Sequence, residues 1–256
     1  MEAVPELNPD GEWFVSERPF RHVRAERVFR DDCYRGLEKA FGAIKKGGET
    51  GGIGARFERS TSAYDALIAA VSPLMSARFR PLFDRRWIAL LAGVLDLPLL
   101  PQIDGALHEV PINSRAGWIH NDFCSAWFDA GVRGDLIFPD RRKCAYFTGS
   151  PKTPDARPRE YIRAATMIFY LDNDRWKPGA GGETGLYATS RRGTGEVHAV
   201  APVSNSLLLF ECSPHSYHAL LANPGCPRKS IILWLHCTVD YAQSRWGRAV
   251  TRRRST

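Results

Sequence analysis

The 256-residue sequence lacks the features that mark several classes of protein. No apolar run approaches the roughly 18 residues of a membrane span. The N-terminus carries Glu2 and Glu6 and has no apolar segment of the kind found in secretory signals. No internal repeat, low-complexity tract or linker divides the chain. We therefore expect one structural domain in the cytoplasm, with no membrane partner.

Closely paired cysteines are also missing. The six cysteines never form a C-x-x-C pair, which argues against a zinc ribbon or a thioredoxin-like redox site. They are scattered through a chain that is too long to need disulfide bonds for its stability. We expect all six to be reduced thiols.

The charge balance is basic, with a formal net charge of +7 and a pI of about 9.2, which favours anionic partners. Part of the excess lies in the segment 241–256, which contains Arg245, Arg248, Arg252, Arg253 and Arg254. Because no nucleic-acid-binding motif accompanies these arginines, we expect a solvated basic tail. A nucleic-acid demethylase remains an alternative.

The first part of the chain, 1–98, is predicted to be a mostly helical support region. Its apolar residues recur at helical spacing between capping residues and helix breakers. The predicted helices run from Asp31 or Asp32 to the glycines at 47 and 48, from Ser60 or Thr61 through Leu67, Ile68 and Val71, and over about 81–95.

From 99 to 240 the pattern changes to short apolar runs separated by turn-forming residues. The clearest runs are 167–171, 206–210 and 230–235. Several such runs predict an antiparallel sandwich or barrel, of which the jelly roll is one form. We expect a mainly β fold whose jelly-roll core is buttressed by the N-terminal helices.

The segment 123–161 interrupts this pattern. It is long, polar and rich in glycine and proline, and it carries charged clusters that include Arg141, Arg142 and Lys143. Loops of this length in a compact domain are usually functional or disordered. We interpret the segment as an insertion that forms a substrate lid, with a plain surface insertion as the alternative.

The chemistry is predicted to centre on His120 and Asp122. Residues two apart on an extended strand project to the same face, so an H-x-D sequence can present an imidazole and a carboxylate to one metal ion. A third ligand must come from a distant strand, and His218 and His215 are the candidates. His218 lies in a strand-like sequence, whereas His215 follows Pro214 and is predicted to lie in a turn. Two histidines and a carboxylate form the facial iron(II) site of non-haem oxygenases.

Arg228 follows His218 by ten residues, at the entrance of a predicted strand. A guanidinium group can bind a carboxylate through two parallel hydrogen bonds and keeps its charge when buried. Ser230 would project from the same strand face and could add a hydrogen bond. The other histidines, His108, His198 and His236, have no such partners and are predicted to be packed or at the surface.

These blocks together resemble the iron(II)/2-oxoglutarate dioxygenases, particularly the prolyl-4-hydroxylase-like branch. The similarity spans roughly 108–236 and rests on the order of its motifs. They are His120-Asn121-Asp122, the run 163–174 followed by Trp176, Gly181-Gly182-Glu183-Thr184, the strand 202–210, and the closing set His218, Arg228 and Trp234. The chain departs from that branch in its long insertion and in Asp172, where the motif usually has asparagine.

The resemblance implies a cupin-like double-stranded β-helix and a set of residue roles. His120, Asp122 and His218 would bind Fe(II), while Arg228, Tyr170 and Ser230 would bind 2-oxoglutarate. O2 would be the oxidant, and ascorbate would serve as a reductant. In the related halogenases a small residue replaces the carboxylate ligand, so an intact aspartate favours hydroxylation, with desaturation or ring formation as the alternatives.

The expected activity is therefore hydroxylation of an unactivated C–H bond in a polar or anionic small molecule. A protein or peptidyl prolyl hydroxylase is the first alternative. A non-catalytic cupin-like binding protein is the second. The sequence leaves the substrate, the carbon attacked and the oligomeric state open.

Overall fold

Two antiparallel β-sheets of unequal size organise the residues that this computed structural model describes, which are 4–47, 57–59, 65–98, 100–191 and 197–247. The strands are β1 (Glu12–Ser16), β2 (His22–Glu26), β3 (Glu58–Arg59), β4 (Leu67–Ala70), β5 (Ile103–Val110), β6 (Ser125–Asp129), β7 (Pro158–Tyr170), β8 (Thr184–Tyr187), β9 (His198–Val200), β10 (Ser206–Glu211), β11 (Tyr217–Leu220) and β12 (Arg228–Thr238). The helices are α1 (Asp31–Lys45), α2 (Arg85–Val94) and α3 (Val239–Trp246), and a 3-10 helix covers Ala77–Phe83.

The larger sheet has the order β1-β2-β10-β7-β12-β5-β4-β3, with β6 paired to the first half of β7. The smaller sheet has the order β11-β8-β9. Strands that are consecutive in the chain often belong to different sheets, so the chain crosses several times from one sheet to the other. This arrangement confirms the predicted mainly β, jelly-roll class of fold.

Strand alternation gives the large sheet two different faces. Met167 and Phe169 of β7 belong to the main apolar core, which also contains Trp87 of α2. Ile168 and Tyr170 alternate with them and pack in a second cluster with Leu186 of the small sheet. Because successive side chains on a strand point to opposite faces, one strand serves both the helical layer and the space between the sheets.

Helix α1 matches its prediction except at its start. Its apolar face buries Leu37, Phe41 and Ile44, as the periodicity predicts. The residue at the N-cap position is Arg30, and neither Asp31 nor Asp32 caps the helix. Both carboxylates lie in the first turn instead, where they interact favourably with the positive end of the helix dipole.

The second predicted helix is wrong. Leu67 and Ile68 lie in β4, which pairs with β5 in the large sheet, while Ser60 and Thr61 lie outside the described residues. A short apolar run fits a buried strand as well as a helix. The exposed edge of β5 decides the outcome, because it offers a hydrogen-bonded ladder. Strands β1 and β2 are a further difference, since they extend the sheet where only helices were predicted.

The third predicted helix is present, in two pieces. Pro81 lies inside the 3-10 helix, and α2 starts afresh at Arg85. The Asp84 side chain accepts a hydrogen bond from the backbone N–H of Arg86 and so caps α2. Within 1–98 the structure is thus a mixture of helices and sheet strands.

The predicted basic tail begins as a helix. Arg245 lies in α3, and its guanidinium group forms an ion pair with Glu211 at the end of β10. Arg245 is nevertheless exposed, so this ion pair does not contradict the solvated character predicted for the segment. The other four arginines of the tail lie outside the described residues. No helix in the described ranges has the length and apolar character needed to cross a membrane.

Candidate active site

His120 and His218 face each other across a short backbone bridge. The backbone N–H of His120 donates to the His218 carbonyl at 3.0 Å, and the reverse bond measures 2.7 Å. Their ring centroids lie 4.4 Å apart. The bridge joins the chain before the insertion to β11 of the small sheet, so His218 occupies the place predicted for the distant histidine. His215 is exposed and lies in the preceding turn.

Both imidazoles are oriented by backbone carbonyls. His120 Nδ1 lies 3.0 Å from the Trp118 oxygen, and His218 Nδ1 lies 3.4 Å from the Ser216 oxygen. A carbonyl only accepts hydrogen bonds, so each neutral ring carries its proton on Nδ1 and leaves the Nε2 lone pair available. Burial and the neighbouring His120 lower the pKa of His218 to about 4, which keeps its ring neutral near pH 7.

The Asp122 carboxylate completes this group. Its Oδ1 lies 4.0 Å from His120 Nε2, and its Oδ2 lies 3.8 Å from His218 Nε2. The three side chains offer ligand atoms that all lie within 4.8 Å of one another, so the group could hold one metal ion. Two imidazole nitrogens and one carboxylate oxygen suit a non-haem iron(II) site.

Three side chains fix the Asp122 carboxylate. Thr166 Oγ1 donates to Oδ2 at 2.7 Å, and Trp234 Nε1 donates to the same oxygen at 2.8 Å. Arg163 lies 3.5 Å from Oδ1. Burial alone would raise the pKa of Asp122, but His218 and Arg163 outweigh it and hold the pKa below its ordinary value. Since Oδ2 already accepts two hydrogen bonds, Oδ1 is the oxygen better placed to bind a metal.

A second polar group lies further along the same sheet face. Arg228 is buried at the start of β12, and one guanidinium nitrogen donates to Thr184 Oγ1 at 3.0 Å. The Tyr170 hydroxyl lies 2.7 Å from the same Thr184 oxygen. The Arg228 guanidinium carbon lies 5.1 Å from the centre of the Tyr170 ring. Arg228 and Tyr170 therefore meet as predicted, with Thr184 as their shared partner.

Two buried donors of this group remain unsatisfied. Within the described residues, neither Arg228 Nε nor Ser230 Oγ has a hydrogen-bond partner. Leaving a buried donor unpaired costs about 1–3 kcal/mol, and more for a charged group. A carboxylate is the ligand that a guanidinium fork binds best, so these atoms fit a carboxylate-bearing cosubstrate.

One cavity connects the metal-ligand group with Arg228. Its lining includes His120, Asp122, His218, Thr184 and Arg228. Trp118, which is 44% exposed, also lines the cavity. His108 lines it too and is buried, and its pKa is lowered to about 3 by burial and by Arg228.

The insertion is not placed as a lid in this structure. None of the residues found to line the cavity comes from 123–161. Its first part forms β6, which pairs with β7. Ile137 and Tyr146 of the remainder are buried in a small cluster with Phe128 of β6.

Two basic residues of the insertion pair with nearby acids. Arg141 pairs with Asp104 at 2.7 Å, and Lys143 pairs with Asp155 at 2.9 Å. Because these charges are neutralised at short range, they give little support to the expectation that the substrate is anionic.

Sequence reasoning assigned no role to Arg163, Thr166, Thr184, Trp234 or Trp118. A period of two would have found some of them. Trp234 lies six residues after Arg228 and Thr166 lies four residues before Tyr170, so each shares a strand face with a residue that was predicted. Trp118 offers no such signal, because it lies outside any regular element.

A tight turn before β8 delivers Thr184 to this site. Gly181 and Gly182 have φ angles of +81° and +78°, a region that only glycine enters readily. A Cβ atom on Gly181 would lie 2.2 Å from the Ala222 carbonyl oxygen, so the turn also requires close contact between two backbone segments.

Comparisons with known proteins agree with the fold. Residues 137–236 match the family model described as the 2OG-Fe(II) oxygenase superfamily. The matched segment contains Tyr170, Thr184, His218 and Arg228, whereas His120 and Asp122 precede it.

Several solved structures share the fold at low sequence identity. A prolyl-4-hydroxylase from Pseudomonas putida has 17% identity and a TM-score of 0.54, over 83% of this chain and 90% of its own. A prolyl hydroxylase from Trichoplax adhaerens, solved with a hypoxia inducible factor peptide fragment, has 13% identity and a TM-score of 0.56, over 87% and 86%. HygX from Streptomyces hygroscopicus, with nickel, 2-oxoglutarate and hygromycin B bound, has 13% identity and a TM-score of 0.50, over 85% and 83%.

We expect Gly181→Ala to destabilise the protein more than Gly179→Ala. Both positions have positive φ angles, so each alanine carries left-handed strain of about 1–3 kcal/mol. Nothing lies within 4 Å of a Cβ at Gly179, whereas Gly181 meets the Ala222 carbonyl oxygen. Urea unfolding of the two variants measures the difference, and equal stabilities would contradict the close contact described here.

Proposed function

We propose that this chain is a 2OG-Fe(II) oxygenase that binds Fe(II) through His120, Asp122 and His218. Its proposed reaction is the hydroxylation of a C–H bond of a polar small molecule. One observation carries the proposal. The three candidate ligands and the buried Arg228 line the same cavity. A metal chelated by one end of a dicarboxylate needs such a cation to hold the other end.

The donor set fits ferrous iron. Both histidines have their Nδ1 protons directed at carbonyls, and Asp122 has one oxygen satisfied by two donors. Each side chain thus keeps one lone pair for a metal. Three protein ligands leave coordination positions open for a cosubstrate and an oxidant.

The group around Arg228 fits the distal carboxylate of 2-oxoglutarate. Arg228 Nε is buried and lacks a partner, and Thr184 and Tyr170 lie close by. When bound, Fe(II), 2-oxoglutarate and O2 supply the oxidising power for C–H hydroxylation, with succinate and carbon dioxide as co-products. The chain supplies orientation and shelter from water.

The residues of the chain itself perform the positioning. Arg228 and Thr184 fix one end of the cosubstrate, and Ile168 and Ile232 form part of an apolar wall beside it. An apolar wall keeps water from the reacting centre and strengthens the polar contacts at both ends of the cavity.

Trp118 offers an aromatic surface next to His120, with 5.3 Å between the ring centroids, on which the apolar face of a small molecule can pack. A prolyl side chain of a peptide is the second candidate, since its ring could pack on the same indole. The Pseudomonas and Trichoplax prolyl hydroxylases share this fold, which supports that alternative.

Anaerobic titration of the apoprotein tests the metal and cosubstrate assignment. Fe(II) with 2-oxoglutarate should produce the weak visible charge-transfer band of the chelate, and His120→Ala should abolish it. His215→Ala is the matched control, because His215 is exposed and lies outside the ligand group. If the iron-loaded wild-type protein gives no band, the oxygenase proposal fails.

Removal of the proposed anchor should weaken cosubstrate binding. We expect Arg228→Ala to cost about 1.5–3 kcal/mol of 2-oxoglutarate binding energy through the loss of a charge-assisted pair. Lys229→Ala serves as the control, because this neighbour in β12 pairs with Asp172 instead. Titration of the iron-loaded protein measures both, and normal affinity in Arg228→Ala would show that the anchor assignment is wrong.

A succinate-release screen addresses the substrate. We expect turnover with a polar small molecule, followed in mass analysis by a gain of one oxygen, and no turnover in Asp122→Ala. Oxygenation of proline-containing peptides, with none of the small molecules modified, would establish the alternative. Substrate-dependent succinate release would also exclude a purely binding function.

A further inference from the structure

Arg163 of β7 lies between the insertion and the metal-ligand group. Arg163 lies 3.5 Å from Asp122 Oδ1, and its guanidinium carbon lies 4.0 Å from the centre of the Trp234 ring. Tyr146 and Phe147 of the insertion approach it from another side, each at 5.4 Å. Arg163 Nε also donates to the Tyr146 hydroxyl at 3.3 Å. The insertion therefore supplies two of the three aromatic rings around this cation.

A register shift makes this contact possible. Strands β7 and β12 pair regularly up to Leu235, and beyond the shift Arg163 lies opposite His236. Residues three apart on a regular strand project to opposite faces. The irregularity lets Arg163 reach the same carboxylate as Thr166, which is a common effect of a β-bulge.

The hydrogen bonds beyond Arg163 have only one consistent direction. His236 Nδ1 lies 3.0 Å from the Gln102 carbonyl oxygen and must donate to it. Burial lowers the pKa of His236 to about 3, so the ring is neutral and its Nε2 must accept. The Tyr146 hydroxyl, 3.0 Å away, therefore donates to Nε2, and its oxygen is free to accept from Arg163.

We propose that Tyr146 is a positioning residue for the metal centre, and that the insertion holds Arg163 against Asp122 by the ordered chain Arg163 Nε–H to Tyr146, Tyr146 O–H to His236, and His236 Nδ1–H to Gln102. This inference rests on the proposed function, because it assigns Asp122 as a metal ligand. The insertion then supports the ligand carboxylate, which explains why it packs beside the site and contributes no side chain to the cavity wall.

Charge and burial explain why these hydrogen bonds affect the metal ligand Asp122. Asp122 and Arg163 are both buried, so the carboxylate depends on its partners in place of water. If the tyrosine hydroxyl is removed, Arg163 Nε and His236 Nε2 both lose a buried partner. The guanidinium then keeps its ring contacts and its ion pair with Asp122, but it loses the hydrogen bond that orients Nε. Partners that orient a metal ligand typically change metal affinity by about 10- to 100-fold when they are removed.

Anaerobic Co(II) titration, followed by visible absorption, tests the proposal. We expect Tyr146→Phe to weaken Co(II) binding by about 10-fold or more. Tyr161→Phe is the matched control, since it removes a hydroxyl from the same aromatic cluster, where that hydroxyl accepts from Gln102 at 3.1 Å. The control should bind Co(II) as the wild type does. Thermal unfolding of both apoproteins measures any loss of stability that they share.

A second variant distinguishes a positioning role of Tyr146 from a general loss of packing around it. Arg163→Lys keeps the positive charge and removes the Nε–H group that donates a hydrogen bond to Tyr146. If the two residues act together, adding Tyr146→Phe to Arg163→Lys should weaken Co(II) binding little further, whereas independent effects would multiply. Wild-type affinity in Tyr146→Phe, equal loss in Tyr161→Phe, or multiplicative loss in the double variant would each overturn the proposal. If the wild-type protein binds no Co(II), the proposed function itself fails, and this inference falls with it.

Discussion

The site depends on the pair of backbone hydrogen bonds between His120 and His218. These bonds connect segments almost a hundred residues apart, and they bring two imidazoles together in the cavity with their ring centroids 4.4 Å apart. Each flanking carbonyl then sets one ring nitrogen as a donor and leaves the other as a potential ligand. The bridge also holds β11 of the small sheet beside the segment that carries Asp122.

Next to that bridge, the alternation of side chains gives β7 and β12 two faces with different roles. One face of β7 and β12 is apolar and packs against the helices, whereas the other carries the polar groups of the cavity. The same ladder that buries Phe169 and Leu233 therefore positions Tyr170 and Trp234. The residues that stabilise the core and the residues that form the site therefore occupy alternate positions on the same strands.

The sequence was sufficient for the features that depend on local pattern and motif order. The positions of the two histidines, Asp122 and Arg228 follow from spacing, and the family resemblance adds Tyr170. The structure brings the three candidate ligands and Arg228 to one cavity. Pattern alone was insufficient for Leu67 and Ile68, whose short apolar run became a strand because β5 offered an edge. It was also insufficient for Tyr146 and His236, which lie 90 residues apart and meet only after β6, β7 and β12 have paired.

The pairing of β7 with β12 also sets a length. Thr166 lies opposite Trp234 at the end near Asp122, and Tyr170 lies opposite Ser230 at the end near Arg228. These two rungs are four residues apart, which is about 13 Å at roughly 3.3 Å per residue. Insertion of one residue into this regular part of the ladder would turn the following side chains to the other face, so the spacing changes in steps of two residues. Substitutions can therefore change the side chains that line the cavity more easily than insertions can change the distance between its two ends.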